Sequence, residues 1–141
     1  MEYFDRIIVG GGAAGFFTAI NIAENNRSLK VLILERGKEV LNKVRISGGG
    51  RCNVTHAEFI PAKLVRKYPR GSKELRGPFH KFMTGDTIGW FEDRGVSLKT
   101  EDDGRMFPVT DSSETIIDCF RKECDNLKIE VRTGESLKSF S

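Results

Sequence analysis

Short apolar runs alternate with amphipathic stretches from the first residues of the chain. Tyr3 to Val9 is a β-rich run ending in glycines, and Phe16, Ala19, Ile20 and Ala23 then recur at i, i+3, i+4 and i+7, the spacing of an amphipathic helix. The pair Asn25-Asn26 stops that helix. Val31 to Leu34 is a continuous aliphatic run, as a strand buried on both faces requires. Residues 3–35 therefore read as strand, helix and parallel strand, a βαβ unit.

After Glu35 a polar connection leads to Ser47-Gly48-Gly49-Gly50, and three successive glycines mark residues 46–56 as a loop. Pro69, Gly71, Gly77 and Pro78 break up residues 61–94, which predicts short helices between turns. The last of these carries Ile88, Trp90 and Phe91, with Thr84 or Asp86 as its expected cap and Gly95 at its end. Val96, Leu98 and Thr100 alternate, Asp102-Asp103-Gly104 turns, and Arg105 to Val109 returns, giving a hairpin over 96–109. Pro108 is expected to keep the return strand at an edge. Asp111 and Glu114 form a capping-box pattern ahead of Ile116, Ile117, Phe120 and Cys124, predicting a helix over 112–125. Lys128 to Thr133 reads as a third strand, and Ser136 to Phe140 as the start of a fourth. The fold class expected is α/β, a three-stranded parallel core with a β-hairpin excursion.

Composition narrows the picture little. With 141 residues, 38% hydrophobic and 30% charged, the chain has room for one ordinary globular domain. No apolar stretch approaches the roughly 20 residues of a membrane span and no leader pattern precedes Tyr3, so no membrane partner and a cytoplasmic location are expected. Cys52, Cys119 and Cys124 are odd in number and lack CxxC or zinc spacing, so they are read as reduced thiols, with no metal site. The net charge is only +3, yet Lys63, Arg66, Lys67, Arg70, Lys73, Arg76 and Lys81 are opposed by Glu74 alone. A solvated helical face is the simpler reading of that stretch; contact with cofactor phosphates, an acidic partner or nucleic acid is the alternative.

The candidate chemistry lies at the glycines. Gly10-Gly11-Gly12-Ala13-Ala14-Gly15 fits G-x-G-x-x-G between a strand and a helix, and Glu35 closes the next strand 20 positions after Gly15. In such a turn the first glycine permits the bend, the second lets the backbone approach a pyrophosphate, and the third lets helix and strand pack closely. The free N–H groups at the helix start bind the anion. Glu35 suits the hydroxyls of an adenosine ribose and would repel a 2'-phosphate, and Arg36 either lies against the adenine or is solvated. The second glycine loop, Ser47 to Asn53, distinguishes FAD from a simple NAD site: its backbone N–H groups, with Ser47 and Arg51 as donors, suit the longer cofactor.

With Lys43, the run Ile46 to Thr55 and Gly104-Arg105-Met106-Phe107-Pro108, these motifs resemble the aminoacetone-oxidase-like flavoproteins, also described as bile-acid dehydro-reductase-like. These have the glutathione-reductase-type FAD-binding Rossmann-like fold. The resemblance runs along essentially the whole chain, and His56 departs from the asparagine usual in that family. It implies that Ser47, Gly48, Gly49, Gly50, Arg51, Cys52 and Asn53 lie along the FAD pyrophosphate and reach toward the isoalloxazine, with Lys43 nearby. It also places Glu135 and Ser136 near the adenine. Cys52 is read as a packing or flavin-contact residue in preference to a thiol relay, since this loop has no second cysteine. His56 is a candidate acid or base, ahead of His80.

The implied activity is passage of a hydride or electron pair between NAD(P)H or a small organic substrate and the flavin. An FAD-dependent RNA-modifying enzyme and a non-catalytic dinucleotide-binding module are the alternatives. In a sheet of order 3-2-1-4 the crevice opens beside strand 1, and strand 4 is not found in this sequence. The chain is therefore expected to be the N-terminal portion of an FAD-binding domain. The remainder of the same polypeptide would complete the site and supply the substrate domain.

Overall fold

The computed structural model describes residues 2–139, which cluster into two compact units. One comprises residues up to Ile46 together with those from Ile117 on, and the other spans Ser47–Ile116.

In the first unit, β1 (Arg6–Val9), α1 (Ala13–Asn25) and β2 (Val31–Glu35) form the expected βαβ arrangement. With β6 (Glu130–Thr133) they give a parallel sheet of order β1-β2-β6, in which Arg6 pairs with Val31 and Leu32 with Glu130. β2 is flanked on both sides, which accounts for its unbroken aliphatic run: Val31, Leu32 and Ile33 are buried. Phe16, Ala19, Ile20 and Ala23, the stripe read from the sequence, are the buried face of α1. Phe16 meets Phe120 of α6 (Ser113–Asn126) with ring centroids 5.9 Å apart. Large buried side chains of this kind each contribute about 1.5–3 kcal/mol. β1 is an edge strand of this sheet, and its Ile7 and Val9 are exposed.

Two strand expectations shift. The first strand covers only Arg6–Val9, because Asp5 and Arg6 both donate their N–H groups to the Lys30 carbonyl ahead of the ladder. The third begins at Glu130 because Lys128 takes a left-handed φ of 56°. The fourth strand does not form over Ser136 to residue 139, which carry no regular structure; Phe140 lies outside the described residues. The reason is local. Gly134 turns the chain at φ 72°, and the N–H groups of Gly134 and Glu135 donate to the carbonyls of Gly37 and Glu35.

The second unit strings short helices together, as the prolines and glycines predict: α3 (Pro61–Leu64), α4 (Ser72–Leu75), single 3₁₀ turns, and α5 (Thr84–Glu92). Asp86 does cap α5, but by reaching back to the Met83 N–H at 2.8 Å. Thr84 is instead buried, its hydroxyl donating to the His56 carbonyl at 2.9 Å. The hairpin forms from β4 (Leu98–Thr100) and β5 (Arg105–Pro108), and the loop read over 46–56 contains a short strand, β3 (Thr55–His56).

The sheet order is β3-β5-β4, which corrects the expectation that Pro108 marks an edge strand: β5 is central. Its ladder alternates, with Arg105 and Val109 bonding toward β4 and Met106 toward Val54 on the other side. The missing N–H of Pro108 therefore points to the side where β3, which reaches only Arg105 and Met106, has already ended. The capping box ahead of α6 is also corrected. Asp111 sits at φ 54° with its carboxylate on Lys99, and Ser112 supplies the cap by accepting the Glu114 N–H at 3.3 Å.

Among the described residues no helix is long and apolar enough to cross a membrane, and no group of three or more His, Cys, Asp or Glu is placed to hold a metal ion.

Candidate functional site

The turn after β1 gives each glycine a distinct setting. Gly10 has φ 109°, a conformation that needs glycine, and its N–H donates to the Leu34 carbonyl at 2.8 Å, tying the turn to β2. A Cβ on Gly15 would lie 2.0 Å from the Gly10 carbonyl oxygen, so α1 approaches the strand end as closely as it does only because this side chain is a hydrogen. Gly12 is the opposite case. Its φ of −90° suits any residue, it is exposed, and a Cβ there would have nothing within 4 Å.

α1 starts at Ala13 with no side-chain cap and no carboxylate in its first turn. The opening N–H groups, those of Ala13, Ala14 and Gly15, are the orphan donors of a helix start and carry the positive end of its dipole. Open space at Gly12 in front of these donors is the cradle an anion requires.

Gly11, the free position of the motif, is the residue the spacing missed. It is buried, and a Cβ there would come within 2.7 Å of Val40 Cγ1 and 3.0 Å of Glu35 Cβ. Its N–H donates to Glu35 Oε2 at 2.8 Å, while the Gly37 N–H donates to Oε1 at 2.6 Å. The backbone donors of Gly37 and then Gly11 hold the Glu35 carboxyl below its usual range, with Arg36 adding to the effect and partial burial opposing it. Glu35 is thus a fixed, ionised carboxylate whose oxygens keep further lone pairs for hydroxyl donors.

Glu35 lines a cleft of about 330 Å³ together with Gly10, Arg36, Glu135 and Ser136, and with apolar wall from Val9, Leu34 and Leu137. The cleft opens past the carboxyl ends of the parallel strands, where ligands of open α/β sheets bind. The structure brings together Gly10, Glu35, Arg36, Glu135 and Ser136 from the expected set. Lys43 is exposed on α2 (Asn42–Ile46), a short helix within the stretch read as a polar connection.

In the second unit, Ser47–Gly49 is a 3₁₀ turn, and Gly48, Gly49, Gly50 and Cys52 all have positive φ. Gly48 is required twice over, by its φ of 56° and because a Cβ would sit 2.6 Å from the Phe107 ring. The N–H groups of Gly50 and Cys52 both donate to the Ser47 carbonyl, closing the loop on itself. Asn53 is exposed. Cys52 is buried, and burial pushes its thiol up while a hydrogen bond with Ser47 opposes the shift. That is the reverse of the activation a thiolate relay needs. Arg51, expected as a donor to the cofactor, directs Nη1 to Glu101 and lies 4.0 Å over the Phe107 ring. The His56 ring packs on Gly104, where a Cβ would be 2.6 Å from Nε2; His80 is exposed.

Known proteins resemble this chain. The ribosomal RNA dihydrouridine synthase of Escherichia coli K12 is 32% identical over 139 residues, which is 99% of this chain and 33% of that protein. The 3-dehydro-bile acid delta(4,6)-reductase of Clostridium scindens is 28% identical over 134 residues, 93% of this chain and 32% of that protein. The chain spans about a third of the length of the curated relatives it matches. The crystal structure of a 3-ketosteroid-delta4-(5alpha)-dehydrogenase from Rhodococcus jostii RHA1 superposes with a TM-score of 0.65 at 13% identity, over 93% of this chain and 38% of that one, a likeness of fold. The family described as HI0933-like protein Rossmann domain matches residues 4–141. The chain belongs to this HI0933-like family and has the Rossmann-like fold of an FAD-binding domain.

Proposed function

We propose that the first unit holds the ADP part of FAD, and that the protein to which the chain contributes is a flavin-dependent oxidoreductase that moves a hydride between NAD(P)H and a small unsaturated ring substrate. The observation carrying this reading is the pairing of an open, exposed Gly12 ahead of an uncapped helix start with a doubly held Glu35 beside the cleft. Gly12, Ala13, Ala14 and Gly15 bind the pyrophosphate through backbone N–H groups, Gly10 shapes the turn ahead of them with its own N–H on the Leu34 carbonyl, and Glu35 accepts the ribose hydroxyls. Arg36, Glu135 and Ser136 border the adenine. Lys43 and the run Ser47 to Asn53 serve the riboflavin end, where buried Cys52 packs and Asn53 is the exposed polar side chain. His56 is the better placed acid or base, because the Cys52 thiol is held protonated. Bound FAD supplies the two-electron chemistry.

The relatives' names, a delta(4,6)-reductase and a dihydrouridine synthase, both describe reductions, and this favours reduction of a ring double bond. The test is anaerobic. NADH or NADPH should bleach the flavin band of the full-length protein, and a cyclic enone should restore it; a flavin that no nicotinamide reduces would refute the reading.

A second reading, with RNA as the substrate, draws on the name of the Escherichia coli relative, a ribosomal RNA dihydrouridine synthase, and on the basic stretch. Lys63, Arg66, Lys67, Arg70, Lys73, Arg76 and Lys81 are all exposed, and among the described residues no carboxylate pairs with them. RNA binding that falls steeply with salt and is lost on reversing Arg66, Lys67 and Arg70 to Glu would favour it. Salt-insensitive or absent RNA binding favours the small substrate.

A further inference from the structure

Arg51 sits in the glycine loop assigned above to the riboflavin end, yet its side chain is engaged by the hairpin of its own unit. Nη1 bonds the Glu101 carboxylate, Asp111 Oδ1 is 3.6 Å away, and the guanidinium carbon lies 4.0 Å over the ring of Phe107. Phe107 is fully buried and is the same ring that leaves no room for a Cβ on Gly48. Asp111 is itself fixed by Lys99. A second tie runs from the Gly50 carbonyl, which accepts the Ser113 N–H at 2.8 Å. The planar face of Arg51 is therefore stacked and part of its donor fork is paired, a combination that lysine cannot reproduce.

We propose that Arg51 is a positioning residue: clamped by Glu101, Asp111 and Phe107, it fixes the conformation in which Ser47 to Asn53 meet the flavin, and it does not itself bind the cofactor. The left-handed residues Gly48, Gly49, Gly50 and Cys52 make this necessary, since a loop dominated by glycine has many other conformations to visit. Holding it in one lowers the ordering cost when the cofactor arrives. The inference rests on the reading that this loop serves FAD.

The experiment compares full-length wild type with Arg51→Ala, Arg51→Lys, Glu101→Gln and the double variant Arg51→Ala/Glu101→Gln. Three quantities are read: the FAD dissociation constant, the flavin absorbance envelope, and hydrogen exchange at the Gly50 and Cys52 amides. Glu101→Gln should weaken FAD about fivefold or more and shift the envelope toward that of Arg51→Ala. The double variant should be no worse than Arg51→Ala, because both remove one clamp. Arg51→Lys should fail to restore the wild-type envelope.

If Arg51→Ala weakens FAD while Glu101→Gln leaves affinity and envelope unchanged, Arg51 acts on the cofactor directly and the proposal falls. It falls equally if Arg51→Ala changes nothing. Accelerated exchange at Gly50 and Cys52 in both single variants of a protein that holds no FAD would leave the clamp standing and overturn only the flavin reading.

Discussion

The backbone N–H of Gly11 donates to Oε2 of Glu35 at 2.8 Å, so the glycine turn after β1 and the acidic end of β2 are one hydrogen-bonded structure. With Gly37 on the other oxygen, the carboxylate is favoured over the acid, and its folded-state pKa lies below the unfolded one. A depressed carboxyl pKa gives stability that is present above the unfolded value, about 4.3, and is lost as pH falls through the lower folded value. Glu35→Gln should therefore cost about 1.5–3 kcal/mol near neutral pH, as for a charged acceptor lost, and should flatten the decline in stability below about pH 4. Urea midpoints across that range check it; parallel pH curves for the two proteins would count against the bond.

Gly12 and Gly15 should behave in opposite ways. At Gly12 an added Cβ meets nothing within 4 Å and φ is ordinary, so the folding stability of Gly12→Val should stay within about 1 kcal/mol of flavin-free wild type while FAD is lost. Gly15→Ala drives a methyl to 2.0 Å from a backbone oxygen and should cost about 3 kcal/mol, or prevent folding. Thermal melts and flavin content of both variants separate a ligand-space role from a packing role.

Burial of Cys52 predicts a slow thiol. Iodoacetamide should label it only after denaturation, and Cys52→Ser should keep turnover within about twofold, the thiol being protonated and not activated. Rapid alkylation of the native protein, or a dead serine variant, would restore the relay reading.

The parts legible in the sequence are those where local pattern and tertiary environment agree. Phe16, Ala19, Ile20 and Ala23 face the core at the spacing that marked them, and the Val31 to Ile33 run is the strand flanked on both sides. Most of the misreadings share a cause: the deciding partner lies far along the chain. Thr55 and His56 become a strand only through Arg105 and Met106, which also places β5 in the middle and leaves Pro108 just beyond β3. Gly11 fills a position the motif leaves free, and Val40 and Glu35 make it obligatory. The engagement of Arg51 by Glu101 and Phe107 is likewise invisible in the local pattern, because both partners lie far along the chain. At Ser136 a β-rich pattern yields to the turn at Gly134, where the carbonyls of Gly37 and Glu35 accept the N–H groups of Gly134 and Glu135.

The decisive observation is the visible absorbance of the full-length protein, purified and then incubated with FAD and dialysed. It should be yellow, with about one FAD per chain, and Gly12→Val should be colourless while keeping a stability within about 1 kcal/mol of the flavin-free wild type. A folded wild-type protein that stays colourless after reconstitution while binding NAD would contradict the assignment of this site to FAD.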